Sequence, residues 1–363
     1  MKATEIQATK DSIVVENMKA AKFFGAKDIR VVDAPIPTVD ANSVKVEIEW
    51  CGICGSDMHE YVAGPMVIPS GSNVTMGHEF SGRIVEIGEN VTTFAIGDRV
   101  VIEPIVPCWT CNSCRTGNYQ VCEKPQFYGL IVNDGGFGEY IVSSVDRVYK
   151  IPDTMSYEQA ALVEPVAVVT QAIRSSQFKF GDTVAVFGTG PIGLLLIQSL
   201  KAAGASKIIA VEVVDHRREV ALKSGATHAI NPIDTNAVET IFGLTNGRGV
   251  DVAFDCAGVQ PTFEASLNSV RNNGELKIIS LWEKPVTFNP NVAMMTNKRI
   301  STTMTYNNIY PEVIDLINQG ILKEDLIITK KIHLDDVVEE GFEEVLNDRS
   351  QVKILVTPKR SNL

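Results

Sequence analysis

The chain has 363 residues, 45% hydrophobic and 21% charged, a length that exceeds one simple core and makes two domains the default expectation. Its formal net charge of -11 at pH 7 argues against nucleic acid and anionic membrane surfaces, which would repel it, and leaves a small neutral or weakly polar substrate as the expected partner. No apolar run approaches the length of a transmembrane helix.

Residues 1–17 mix Lys2 and Lys10 with Glu5, Asp11 and Glu16 and have no apolar centre, so they read as an N-terminal extension and not as a secretory or transit signal. From 18 to about 150 the texture is β-rich: 44–50 alternates, 82–87 and 99–102 are β-branched, and Gly, Pro and Asp punctuate them. Within this part lies Cys108-x2-Cys111-x2-Cys114-x7-Cys122, in a loop rich in Asn, Thr and Gly. Four thiolates fill the tetrahedral shell of zinc and leave no open position, so this spacing predicts a structural zinc site. Cys51 and Cys54 form a second group and Cys256 stands alone. Such clusters in a long chain indicate metal ligation in a reducing compartment, expected to be the cytoplasm, and not a disulfide framework.

After Pro152 the texture changes. A helix is expected over 157–175, then strand 183–187, helix 193–203, strand 208–213, helix 216–224, and strands 229–230, 250–254 and 275–280, with turns at 243–249 and 272–274. Buried strands alternating with helices predict βαβ units and a parallel sheet. From about Asn307 a helix (310–319) and a strand (352–356) follow, the strand resembling the N-terminal part in texture. The expected fold class is therefore α/β: a doubly wound parallel sheet (164–306) inserted in a β-rich domain (18–163 plus 307–363).

Residues 184–187 run into Gly188-Thr189-Gly190-Pro191-Ile192-Gly193, a G-x-G-x-x-G turn between strand and helix. Gly188 makes the tight turn, Gly190 admits a pyrophosphate to the backbone, and Gly193 lets helix and strand pack closely. The helix N-terminus below offers free N–H groups to phosphates. Glu212, at the end of the next strand, is placed to accept the adenosine ribose hydroxyls and to repel a 2′-phosphate, which favours NAD over NADP. Arg217 and Arg218 are near enough to meet a phosphate.

A catalytic zinc needs about three protein ligands and one open position. The segments Cys51-Gly-Ile-Cys54-Gly-Ser56-Asp57-Met-His59 and Gly77-His78-Glu79 offer candidates. With Gly97-Asp98-Arg99-Val100, the four-cysteine lobe, Glu164-Pro165 and the glycine turn, they resemble the zinc-containing medium-chain dehydrogenases from Met18 to Pro358. The likeness is greatest to the butanediol dehydrogenases, through Cys54-Gly-Ser-Asp-Met-His-Glu-Tyr61-Val-Ala-Gly-Pro65 and Leu281-Trp282-Glu283-Lys284-Pro285.

That resemblance implies a GroES-like catalytic domain around a Rossmann domain, with zinc and NAD as cofactors. It places the catalytic zinc on Cys54, His78 and a carboxylate, either Glu79 or Glu164, the other holding the zinc-bound water or waiting behind. Asp57 would orient a ligand. Ser56 would take the alcohol proton and pass it along the cofactor ribose to His59, the terminal base. The nicotinamide would rest near Val168, its carboxamide near Ile279, Ser280 and Leu281, with Thr303, Met304 and Thr305 on the other side. A homodimer or homotetramer formed through the nucleotide domains is implied as well.

Small secondary alcohols and ketones, above all 2,3-butanediol and acetoin, are the implied substrates. Polyol dehydrogenases carry an aromatic residue after the histidine and an Arg-Tyr pair near the cofactor, where this chain has Glu60 and Thr305-Tyr306. The loop between Pro65 and Met76 is shorter than butanediol dehydrogenases usually have. Threonine is a further possible substrate, and a non-catalytic NAD-binding sensor is the reading from another class. The ligand set, Ser56 and His59 speak against the sensor. Cys51 and Cys256 read as small buried residues, and His216, His228 and His333 as structural or solvated.

Overall fold

The structure, a computed structural model, describes residues 16–363. The extension read at 1–17 lies outside them but for its last two residues, Glu16 and Asn17. The N-terminal part contains β1 (Asn17–Gly25), β2 (Asp28–Pro35), β3 (Ser43–Gly52), α1 (Gly55–Ala63), β4 (Glu79–Ile87), β5 (Arg99–Ile102), β6 (Ile105–Val106), α2 (Asn112–Arg115), β7 (Gln126–Phe127), β8 (Tyr140–Ser144) and β9 (Val148–Lys150). Helices α3 (Tyr157–Ala161) and α4 (Val163–Arg174) lead into β10 (Thr183–Phe187), α5 (Pro191–Ala202), β11 (Lys207–Val211), α6 (Asp215–Ser224), β12 (His228–Ile230) and α7 (Ala237–Leu244). Then come β13 (Val250–Asp255), α8 (Gln260–Ser269), β14 (Val270–Ile278), α9 (Asn291–Met294), β15 (Arg299–Thr302), α10 (Tyr310–Asn318), β16 (Ile328–His333), α11 (Glu344–Asn347) and β17 (Lys353–Thr357).

Two sheets organise the molecule. The first is all parallel, in the order β12-β11-β10-β13-β14-β15. The chain direction reverses its progress between β10 and β13, and the carboxyl ends of such neighbours open a crevice where ligands bind. After Thr183, strand β10 is apolar because both faces are covered, and Val184, Ala185, Val186 and Phe187 are fully buried. Each of the larger ones contributes about 1.5–3 kcal/mol of burial.

The second sheet runs β16-β17-β3-β4-β5-β9, with β8 also on β3. The strands at the C-terminal end thus return to the N-terminal part: β17 pairs antiparallel with β3, setting Leu355 opposite Gly52 and Val356 opposite Cys51.

Two expectations need correction. The single helix read over 157–175 is two, parted at Leu162. Continuing the first helix would require an N–H at position 165 to bond the carbonyl of Ala161, and Pro165 has none. In the first turn of α4 that missing donor costs nothing, since the first N–H groups of a helix lack partners anyway. The turn read at 272–274 lies inside β14, as an irregularity between the pairs Val250–Val270 and Val252–Glu275. Asn273 takes a left-handed φ of 57°, which asparagine tolerates better than most residues.

Candidate metal and nucleotide site

Strand β3 delivers the chain to Cys54, which caps α1. The cap is closed by Asp57, whose Oδ2 accepts from the Cys54 N–H at 2.9 Å. The other oxygen, Oδ1, lies 3.5 Å from His78 Nδ1. That leaves His78 Nε2 turned toward Ser56, 3.3 Å from its Oγ. One fully buried carboxylate thereby sets the backbone of one candidate ligand and the ring of another, the arrangement that fixes histidine ligands in metal sites.

Glu79 opens β4 directly opposite Gly52 of β3. A side chain at Gly52 would put its Cβ 2.2 Å from Glu79 Oε2, so the glycine makes room for this carboxylate. Cys54, His78 and Glu79 each bring one donor atom within 4.8 Å of the others. Behind Glu79 stands Lys353 of β17, itself buried, whose Nζ donates to Oε1 at 2.7 Å, Oε2 at 2.6 Å and the Ile53 carbonyl at 2.9 Å.

Glu164, in the first turn of α4, is not among those three donors; its Oε1 accepts from Tyr306 Oη at 2.9 Å. Burial, together with the charge of Glu79, pushes its carboxyl up to about 7, against the pull of His78. The pocket thus gathers the Cys54 thiol and three buried carboxylates, Asp57, Glu79 and Glu164, around Lys353 as the fixed cation. A divalent cation would balance that negative excess, and the mixed S, N and O donor set suits zinc.

The four-cysteine lobe brings together one sulfur from each of Cys108, Cys111, Cys114 and Cys122 within 4.8 Å. Backbone N–H groups of Cys111, Cys114 and Lys124 point at the sulfurs of Cys108, Cys111 and Cys122 at 3.3–3.4 Å. The Cys111 and Cys122 sulfurs are 4.0 Å apart, far beyond a disulfide and near the edge of about 3.8 Å that zinc–sulfur bonds of about 2.3 Å give a tetrahedron. The Thr110 hydroxyl and neighbouring N–H groups lower the Cys108 thiol to about 5. These residues fit a structural zinc.

At the crevice the three glycines of the turn have three separate reasons. Gly188 has φ of 86°, and a Cβ there would press on Ala257 at 3.0 Å. At Gly193 a Cβ would lie 2.0 Å from the Gly188 carbonyl oxygen, so helix and strand could not close. Above Gly190 the nearest atom to a Cβ would be Arg217 Nη1 at 3.9 Å, which leaves space for a phosphate. Pro191 opens α5 with Ile192 behind it, and Gly190 is its cap.

Glu212 follows β11, with its carboxylate turned onto the turn: Oε2 accepts from Thr189 N at 2.7 Å and Oε1 from Val213 N and Val214 N at 2.9 and 3.0 Å. Arg218 is occupied by the Glu212 carbonyl and by Asp215. Arg217 faces the turn, and its Nε is buried without a partner.

Beyond β14 and β15 the N–H groups of Ile279 and Ser280 bond the Asp255 carbonyl, and Thr303 N–H bonds that of Ile278. Leu281 and Met304 are exposed, while Ser280 Oγ and Thr305 Oγ1 are buried without partners. Val168, on α4, is half-buried. His59 Nε2 meets Glu283 Oε1 across the crevice at 3.5 Å. Burial raises the thiols of Cys51, which is fully buried, and of Cys256, which reads as buried in the sequence but is only half-buried.

Two residues that shape the site carry little signal in the sequence. Lys353 has none locally, being a single charge inside a strand-like run. Tyr306 was noticed only as the partner of Thr305 in a comparison of substrate classes; its buried contact with Glu164 spans 142 positions.

Residues 40–153 match the alcohol dehydrogenase GroES-like domain, and residues 191–319 match the zinc-binding dehydrogenase domain. The chain is 44% identical to the (R,R)-butanediol dehydrogenase of Bacillus subtilis, over 94% of this chain and 100% of that one. It is 36% identical to a sorbitol dehydrogenase of the same organism, over 96% and 99%. The crystal structure of 2R,3R-butanediol dehydrogenase from Bacillus subtilis superposes with a TM-score of 0.89, again covering 94% and 100% of the two chains.

Proposed function

The chain belongs to the zinc-binding alcohol dehydrogenase family, and we propose that within it this enzyme interconverts 2,3-butanediol and acetoin with NAD. The observation that carries the proposal is the convergence of Cys54, His78 and Glu79 into one donor set beside Ser56. These three would hold zinc, while Glu164 is held nearby by Tyr306. When bound, zinc supplies Lewis-acid polarisation of the substrate oxygen, and NAD accepts the hydride. Ser56 takes the hydroxyl proton; His59, partly open to solvent and paired with Glu283, releases it. Glu212 favours NAD, because a 2′-phosphate would meet a carboxylate already held in place by backbone donors.

A small diol suits the pocket rim better than a sugar alcohol. Glu60, where polyol enzymes carry an aromatic residue, is buried and accepts from Met66 N–H at 3.0 Å and Val67 N–H at 2.6 Å. It folds the rim loop and offers substrate no side chain. For assembly, β15 is one of the two edges of the parallel sheet, and exposed Met294 and Met295 lie just before it, which supports a homodimer through the nucleotide domains.

Initial rates of NADH formation from the three 2,3-butanediol stereoisomers, sorbitol and threonine test the reading. The (R,R) isomer should be oxidised fastest. Preference for sorbitol would transfer the enzyme to the polyol class, and inactivity with all five would favour a sensor.

A further inference from the structure

Tyr119 sits between Cys114 and Cys122 and is buried in the same cluster as both. Its hydroxyl donates to Glu103 Oε1 at 2.6 Å and accepts from the Asn308 N–H at 2.8 Å. Asn307 Nδ2 also reaches into the lobe, to the carbonyl of Gly117 at 2.5 Å. The segment 303–310 is therefore fastened to the four-cysteine lobe at two points. The same segment carries Thr303–Thr305 on the candidate nicotinamide side and Tyr306, which donates to Glu164.

A second line of contacts joins the same ends. Glu103 also accepts from Tyr149 Oη at 3.0 Å. The Tyr149 ring packs on Tyr310 with centroids 5.2 Å apart, and Tyr310 on Tyr306 at 5.4 Å. Every member is more than half enclosed, and Glu103, Tyr119, Tyr306 and Tyr310 are almost wholly buried. Two residues of the segment, Thr305 and Asn308, have left-handed backbones, φ of 46° and 49°. A β-branched residue adopts that region only when its surroundings hold it there.

We propose that the four-cysteine lobe positions the reaction centre: through Tyr119 it fixes the segment 303–310, and through Tyr306 it aims the Glu164 carboxylate. A metal held by the four cysteines would thereby stabilise a catalytic geometry as well as a loop. Tyr119, Glu103 and Tyr306 are positioning residues. Their effect on turnover rests on the dehydrogenase reading above, but the coupling between lobe and segment does not.

Tyr119→Phe keeps the ring and removes both hydrogen bonds of the hydroxyl. Amide hydrogen exchange in 303–310 should quicken about fivefold, the size expected for one lost hydrogen bond, with the melting temperature little changed. With butanediol the same variant should lower kcat and raise KM for NAD. Tyr306→Phe should lower kcat on the order of tenfold while KM for NAD stays, because it removes a buried bond to the Glu164 carboxyl and leaves the segment fastened. Should Tyr119→Phe not fold, Asn307→Ala releases the surface tether and is expected to act in the same direction more weakly. Wild-type exchange in 303–310 in the folded lobe variant would overturn the proposal. An inactive wild type would overturn the substrate reading alone, since exchange is measured without turnover.

Discussion

Lys353 shows how much of this site depends on a single side chain far away in sequence. It is 1% exposed and spends all three of its N–H donors on Glu79 and the Ile53 carbonyl. In the metal-free protein, replacing it with methionine leaves Glu79 buried without its cation, and losses of about 3–5 kcal/mol are typical when one partner of a buried pair is removed. Urea denaturation of Lys353→Met should show a loss of that order, and adding Glu79→Gln should recover part of it. Equal stability of wild type and Lys353→Met would mean the pair contributes nothing. The proposed ligands, Cys54 and His78, were legible through the family likeness, since a cysteine and a His-Glu pair are common in ordinary cores. Their supports were only partly so. Asp57 was readable through the family likeness, but Lys353 reaches Glu79 only because β17 folds back on β3.

At the level of single elements, the glycine turn separates binding from stability. Gly190→Ala meets nothing closer than 3.9 Å and should weaken NADH binding with little effect on the melting temperature. Gly193→Ala forces a Cβ to within 2.0 Å of the Gly188 oxygen, so it should destabilise the nucleotide domain as well. NADH fluorescence titration and thermal melts, run on both, distinguish the two roles.

Strand β13 supplies a pH test. Asp251 binds Arg271 Nε at 2.7 Å, Arg248 Nη2 at 2.6 Å and Thr183 N–H at 2.9 Å, tying β10, β13 and β14 together. Burial alone would raise its carboxyl, but these partners outweigh it and hold the pKa below the ordinary value. Its contribution is therefore present above the unfolded pKa of about 3.9 and is lost as pH falls through the lower folded value. Asp251→Asn should cost about 1–3 kcal/mol at neutral pH, and the deficit should shrink as pH drops from about 5 toward 3. A deficit independent of pH would refute the charge argument.

Five of the six parallel-sheet strands were legible because continuous apolar runs leave few alternatives; β15, whose four residues include one apolar side chain, was not. Helices α7 and α8 went unread, though both are observed. Helix α8 has little apolar stripe, and α7 is short and apolar nearly all round, so neither shows the period that marks a surface helix.

For the whole molecule, the decisive feature is that distant segments meet at one crevice. The β-rich part contributes the metal donors, the parallel sheet contributes the nucleotide turn, and β17 returns to brace the donors from behind. The two-part arrangement is legible in the change of texture at Pro152 and its reversal near Asn307. The third ligand could not be reached that way, because Glu79 and Glu164 are equally good carboxylates in sequence. The fold brings Glu79 within 4.8 Å of Cys54 and His78, and gives Glu164 to Tyr306.

The most direct test of the central claim is NADH formation from (R,R)-2,3-butanediol by the zinc-loaded protein, by the same protein after chelation, and after zinc is returned. Turnover should disappear with the metal, return with it, and stay absent in a His78→Ala variant that still binds NADH. Full turnover in the chelated protein, or in that variant, would contradict the account.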